Sequence, residues 1–266
     1  PDAAAAREAA THYYAKGKAH FDRGEWAEAV KALRAASEAD PKMSEAWYYI
    51  SAAEREMNGR KPCDAEYLPL MHCIRLDPNH ARAHCGLGNV QMHVRKDPAK
   101  AEESFREAIR LNPNYVVPHY CYAALLETQG DLTGAIRELR ECVQLGDPQA
   151  GAKLERLTKK AAVARYYEGK ALFEQENWPE ALEAFRAAAE MDPEMSEAWF
   201  SISATERKVN GGKCCAAEYA PLMRCIKLDP SNAHAHLNLG HVQMYVRKDP
   251  AQAEESYRQA IRLDPN

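Results

Sequence analysis

The chain has 266 residues, 46% of them hydrophobic, and a formal net charge of −4 set by 39 acidic and 35 basic side chains. No run approaches the roughly 18 uninterrupted apolar residues of a membrane span. Charges of both signs are interspersed, with no basic stripe of the kind nucleic acid demands. Neither a membrane nor nucleic acid is therefore expected as a partner. Alanine is by far the commonest apolar residue, well ahead of isoleucine, valine and phenylalanine, which suits many thin helix–helix interfaces better than one thick core.

In chain order, Pro1-Asp2-Ala3-Ala4 lacks an initiator methionine and shows no basic-then-apolar leader. It reads as the start of a segment of something longer. Residues 1–9 are a polar, helix-forming lead-in. A first helical hairpin follows over about Ala10–Met43, with Gly17 on its first helix and Ala29, Leu33 and Ala36 on its second, closed by Asp40-Pro41. The second hairpin, about Ser44–His80, turns Trp47, Ile50 and Ser51 inward, and Ser44 is expected to cap its first helix. Pro69 falls within the second helix of this hairpin, where proline costs roughly 3 kcal/mol. Either that helix is kinked or it begins late, near residue 66. The longer loop Gly59-Arg60-Lys61-Pro62 points to the late start.

The third hairpin, about Ala81–Tyr115, places His84, Leu87 and Gly88 in equivalent slots. Its second helix is expected to open at Asp97-Pro98, an N-cap followed by proline at the first helical position. That helix, AEESFREAIRLNPN over Ala101–Asn114, sets Ala101, Phe105, Ala108 and Ile109 on one face, and Pro113 ends it. The fourth hairpin, about Val116–Asp147, carries His119, Tyr122, Ala123, Ala135, Leu139 and Cys142. A further helix, about Gln149–Ala161, breaks the rhythm. The basic stretch Lys153–Arg165 lies across it, with Glu155 and Lys159 paired at i,i+4 on a solvated face. From Ala162 the chain repeats itself through Gly169, Ala181, Phe185, Ala188, Trp199, Ile202, Ser203, His236, Leu239 and Gly240.

The small–aromatic–small faces closed by proline, at a spacing of roughly 34 residues, resemble the tetratricopeptide repeat family. The resemblance covers nearly the whole chain in seven hairpins. It implies an all-α, right-handed superhelical α-solenoid divided as 1–9 lead-in, 10–147 four hairpins, 148–161 connecting helix and 162–266 three hairpins. Departures occur: the tryptophan slot holds Tyr13, His84, His119 or Arg165, and the Leu-Gly pair becomes Lys16-Gly17 or Tyr122-Ala123. Above this period lies another. Residues 11–114 align without a gap on 163–266, at an offset of 152, with 65 of the 104 positions identical.

Eight cysteines are present, none in a CxxC pair. Cys63 and Cys73 stand ten apart in a largely helical segment, about 15 Å along an ideal axis, beyond disulfide reach. Cys73, Cys142 and Cys225 fill slots that hold alanine elsewhere, so they read as core residues in a reducing compartment. With no N-x-S/T acceptor, the expected address is cytoplasmic, although an extracellular one stays open.

The resemblance implies a concave face lined by the first helix of each hairpin. It would present Tyr14, Lys18, Tyr48, Tyr49, Arg55, Arg82, Asn89, His93, Tyr120 and Glu127, and in the second copy Tyr166, Lys170, Phe200, Arg207, Asn238, His241 and Tyr245. Aromatic and arginine side chains are what peptide recognition uses; the competing reading is that the tyrosines finish packing between neighbouring helices. Some family members hold a peptide's C-terminal carboxylate in a Lys-Asn-Asn-Lys-Arg clamp. Lys18 and Asn89 match it, but Tyr14, Tyr49 and Ala52 replace other members, so the clamp is expected to be broken.

His72, Cys73, His80, His84 and Cys85 are good zinc-ligand types. Yet the second copy replaces three of them with Arg224, Asn232 and Leu237, so no metal or other cofactor is expected. No Ser-His-Asp grouping, phosphate loop or carboxylate pair emerges, and catalysis is not expected. Three functions follow from the resemblance: a scaffold holding partner proteins or peptides, an end-to-end rod or fibre in which the chain partners itself head to tail, or the substrate-recruiting arm of an enzyme such as an O-linked N-acetylglucosamine transferase. The rod is suggested by Arg262-Leu263-Asp264-Pro265-Asn266, which closes a second helix with no capping helix after it.

Overall fold

A computed structural model describes residues 3–265, and the lead-in residues Pro1 and Asp2 lie outside them, as does Asn266. Among the described residues there are fourteen α-helices and no strands: α1 (Ala3–Asp22), α2 (Trp26–Ala39), α3 (Ser44–Met57), α4 (Tyr67–Leu76), α5 (Ala81–Val90), α6 (Pro98–Leu111), α7 (Val116–Gln129), α8 (Leu132–Gln144), α9 (Ala150–Glu174), α10 (Trp178–Met191), α11 (Ser196–Val209), α12 (Tyr219–Leu228), α13 (Ala233–Val242) and α14 (Pro250–Leu263). Helices α1–α8 and α10–α14 pack chiefly on their neighbours in sequence, the one-dimensional stacking of an α-solenoid. Two compact units divide at Lys153-Leu154.

The proline turns do more than stop helices. Asp40 is extended, as a residue before proline must be, and its Oδ1 accepts the Lys42 N–H at 3.0 Å. Asp77, Asn112, Asp192 and Asp229 repeat this Asx turn at 3.0–3.2 Å. The following first helix then ties itself to the proline carbonyl six residues back. The Trp199 indole N–H donates to Pro193 O at 3.0 Å, and His84, His119 and His236 donate ring N–H groups to Pro78, Pro113 and Pro230 at 2.9–3.1 Å. Histidine in the tryptophan slot is therefore a replacement that keeps the hydrogen bond. Trp47 breaks the pattern: its Nε1 is buried without a partner, and its ring stacks on His72 at 4.6 Å.

Inside the first unit, Ala29, Val30, Leu33 and Ala36 of α2 pack on Ala46, Ile50 and Ala53 of α3. The second unit repeats this with Ala181, Leu182, Phe185 and Ala188 against Ala198 and Ile202. Cys73, Cys142 and Cys225 are fully buried, as core residues. The late start expected near Pro69 is observed: a 3-10 turn, Asp64–Glu66, precedes α4, so the proline sits in the first turn. Asp97 and Asp249 cap α6 and α14 through the Lys100 and Gln252 N–H groups at 3.1 and 3.0 Å. Ser44 does not cap α3. It is the first helical residue, and Met43 occupies the cap position without a side-chain bond.

Candidate functional site

The first-helix face of the first unit is largely occupied by its own side chains. Tyr49 of α3 packs edge-on against Tyr14 at 5.9 Å and Phe21 at 5.4 Å, both from α1, and Lys18 Nζ lies 5.7 Å from its ring. Burial, with Glu45 adding to it, pushes the Tyr14 phenol up to about 12, so it stays neutral. Tyr48 lies on His80 at 4.8 Å. Arg55 is committed elsewhere: its guanidinium grips Glu66, Nε to Oε2 at 2.8 Å, while Glu66 Oε1 accepts the Cys63 N–H at 2.9 Å. Asn89 donates to Cys85 O at 3.1 Å. Lys153 lies 4.6 Å over the Tyr120 ring and 3.6 Å from Glu127. Arg82 and His93 are exposed.

A thiol pair on this face had no signal in the spacing of the cysteines. The interaction of Cys85 of α5 with Cys121 of α7, ahead of burial, raises the Cys85 thiol well above its usual value, and the same interaction lowers Cys121 against the effect of burial.

The second unit differs. Tyr166 meets Phe185 at 5.6 Å, and Lys170 lies 5.9 Å from the Tyr167 ring. Tyr166, Lys170, Phe173, Glu174 and Phe185 line an open cavity of about 220 Å³, with Phe200, Ser201 and Ala204 of α11 completing the lining. Further along, Arg207 binds Glu218 at 2.6 Å and Asn238 at 3.2 Å. His241 packs on Tyr257 at 5.6 Å and lies 6.3 Å from the exposed Tyr245. Burial, aided by the Arg207 charge, lowers the His241 pKa.

Models of the tetratricopeptide repeat match residues 14–67 and 166–203, and again 81–115 and 233–266. The chain belongs to the tetratricopeptide repeat family. A curated relative, the tetratricopeptide repeat and J domain-containing co-chaperone DNJ1 of Cryptococcus neoformans var. grubii, is 29% identical over 202 residues, 73% of this chain and 36% of that protein. The chain thus spans little more than a third of that relative's length. Among solved structures, MamA is 22% identical with a TM-score of 0.49, covering 71% of this chain and 95% of its own. The TPR2AB domain of yeast Sti1, solved as a complex with pHSP90, is 18% identical with a TM-score of 0.44, covering 96% and 90%. Yeast Tom70 is 15% identical with a TM-score of 0.43, covering 100% and 52%.

In this tetratricopeptide repeat chain nine of the seventeen expected face residues fall into three groups. Tyr14, Lys18 and Tyr49 close on one another. Tyr166, Lys170 and Phe200 share the cavity. Arg207, Asn238 and His241 form a polar cluster. Phe173 and Ser201 were not among the expected residues. Comparing the two copies at the 152-residue offset finds them, because Tyr49 is matched by Ser201 while the rings around it persist. The histidines weighed as zinc ligands have other work: His80 accepts the Ala83 N–H as the cap of α5, and His84 holds Pro78.

Proposed function

We propose that this chain is a protein-interaction adaptor that takes partner peptides along the concave face of its first helices. The observation that carries this reading is the open cavity of the second unit: four aromatic rings converge on about 220 Å³ of space beside a lysine. Ligand sites of proteins combine apolar walls with a few placed polar groups, and interfaces draw most of their energy from such aromatic anchors. Membership of a family of helical repeats supports a surface rather than a reaction as the working part. The co-chaperone relative favours partners that are themselves proteins.

The buried acids support binding over catalysis, because each holds a structural partner: Glu66 holds Arg55, Glu218 holds Arg207, and Glu138 holds His119. Four buried thiols among eight unpaired cysteines support a reducing, intracellular address. Among the described residues no helix is long and apolar enough to cross a membrane. The expected break in the carboxylate clamp is supported by the engagement of both matching residues, Lys18 with the Tyr49 ring and Asn89 with Cys85.

The test is selection of a random peptide library against the intact chain, followed by photo-cross-linking of the selected peptides. Cross-links on α3, α5 and α7 or on α9, α11 and α13 are expected. Cross-links confined to second helices, or no selectable peptide, would refute the adaptor reading. A titration with an acidic C-terminal peptide should show no saturable binding.

A further inference from the structure

The two copies of the first-helix face are the same site in two states of filling. Tyr14, Lys18, Phe21, Leu33, Tyr48 and Ala52 of the first unit correspond to Tyr166, Lys170, Phe173, Phe185, Phe200 and Ala204 of the second. The residue between them changes from Tyr49 to Ser201. In the first unit the Tyr49 ring lies edge-on against Tyr14 and Phe21, with Lys18 beside it. In the second the place of that ring is the cavity. Phe185 is larger than Leu33, yet about 220 Å³ remains open. A cavity of roughly 150 Å³ accepts benzene, whereas drug-sized ligands need roughly 300 Å³ or more. The space fits one aromatic ring.

We propose that this cavity takes an aromatic side chain, tyrosine or phenylalanine, from a partner peptide, in the position that Tyr49 occupies within the first unit. The proposal rests on the adaptor reading and names the residue class that the second unit selects. Its occupant is read from the chain's own other copy: Tyr49 is the bound ring, covalently supplied. An inserted ring meets Tyr166 and Phe173 at their edges, as Tyr49 meets Tyr14 and Phe21. Lys170 now lies 5.9 Å from Tyr167, and its flexible stem lets the ammonium move onto the incoming ring, as Lys18 lies on Tyr49. With Glu174 also in the lining, the one positive and one negative side chain of the cavity cancel. The site therefore selects the ring rather than a carboxylate. Tyrosine suits it best, because its hydroxyl stays at the wet mouth while its body is buried.

The experiment uses the full chain, with N-acetyl-L-tyrosinamide and N-acetyl-L-alaninamide as probes and the backbone amide resonances of Ser201 and Ala204 as reporters. The tyrosine amide should shift both saturably and the alanine amide neither. Ser201→Tyr, which supplies the missing ring, should abolish the shifts and raise the melting temperature of the second unit. Ala204→Leu blocks the cavity without a ring and should also abolish binding. Tyr49→Ser should open a second site reported by Ala52. Library-selected peptides should carry Tyr or Phe, and should lose at least tenfold in affinity when that residue becomes Ala or when the chain carries Ser201→Tyr. Peptides that bind the parent and both blocked variants equally would sink the cavity proposal and leave the adaptor reading intact. Saturable filling by the amide with no peptide selected would sink the adaptor reading while upholding the ring selectivity of the cavity. Neither amide nor peptide bound would sink both.

Discussion

Gly88 of α5 lies so close to Phe105 of α6 that a Cβ on the glycine would meet Phe105 Cε1 at 2.6 Å. Phe105 is fully buried and backed by the helix that carries it, so it has little room to yield. The same closeness recurs between Gly169 and Phe185 at 2.8 Å and between Gly240 and Tyr257 at 2.5 Å. Overpacking a filled interface costs roughly 1–3 kcal/mol. Gly88→Ala should therefore lower the unfolding free energy of the first unit, read from a urea titration, by an amount in that range. Gly151 is the control: it is helical, and a Cβ there meets nothing within 4 Å. Gly151→Ala should stabilise by up to about 1 kcal/mol, because alanine is the better helix former. Equal effects of the two substitutions would refute the close-approach account.

Glycine facing an aromatic ring, and proline after aspartate, are local patterns with a local cause, so the hairpins were legible in the residues alone. The histidines of the tryptophan slot looked like departures only because their shared chemistry, a ring N–H reaching a proline carbonyl, depends on the fold of the turn. Ser44 misled for a related reason. Its type suits a cap, but the chain enters α3 one residue earlier, through Met43. Most face residues lie on first helices, but His93 and Tyr245 fall in the π-helical turns Gln91–Arg95 and Gln243–Arg247 that follow α5 and α13, and the roles of the face residues were not legible. Arg55 was read as a groove cation, while its charge is held by an acid from a turn eleven residues on. The cavity is defined by a missing ring, and a missing ring leaves no motif.

The caps offer a direct comparison. Asp97→Ala removes the bond to the Lys100 N–H at 3.1 Å and should cost about 1 kcal/mol, the usual value of an N-cap. Ser44→Ala removes no cap bond and should stay within about 0.5 kcal/mol of the parent, the range of ordinary surface changes. Denaturant titration of both variants checks the difference, and a Ser44→Ala loss as large as that of Asp97→Ala would contradict the assignment.

Arg55 and Glu66 form a pair in which the acid has no solvent exposure and the arginine side chain is 30% exposed. Removing one partner of a buried ion pair costs roughly 3–5 kcal/mol, because the other charge is left unpaired in a poor solvent. Arg55→Ala should fall toward the low end, since water reaches the vacated side of the pair. Arg207→Ala should act likewise in the second unit, where Asn238 also loses its partner. The double change Arg55→Met with Glu66→Met should recover much of the loss, because apolar replacement of a whole buried pair is often near neutral. Denaturation of the single and double variants measures the coupling, and additive losses would show that the pair is not a unit.

His119 gives the first unit a pH dependence of predictable sign. Its Nδ1 lies 2.9 Å from Glu138 Oε2 while Nε2–H donates to Pro113 O at 3.0 Å. The bond to Glu138 raises the His119 pKa above its ordinary value, against the effect of burial, with Glu141 adding to the raise. Burial acts to raise Glu138, but His119 and Arg137 outweigh it and hold the carboxyl below its usual range. The folded state thus favours the imidazolium. Its contribution is complete below the unfolded value of about 6.5 and is lost as pH rises through the higher folded value. His241 has the opposite sense, since burial and Arg207 lower it: its contribution is present above about 6.5 and is lost as pH falls through the lower folded value. Melting the chain at pH values on both sides of about 6.5 follows both histidines. Over that range the first unit should weaken on the alkaline side and the second on the acid side. His119→Gln should flatten the alkaline loss and leave the acid limb of the second unit unchanged; an alkaline loss that survives this substitution would assign it to another group.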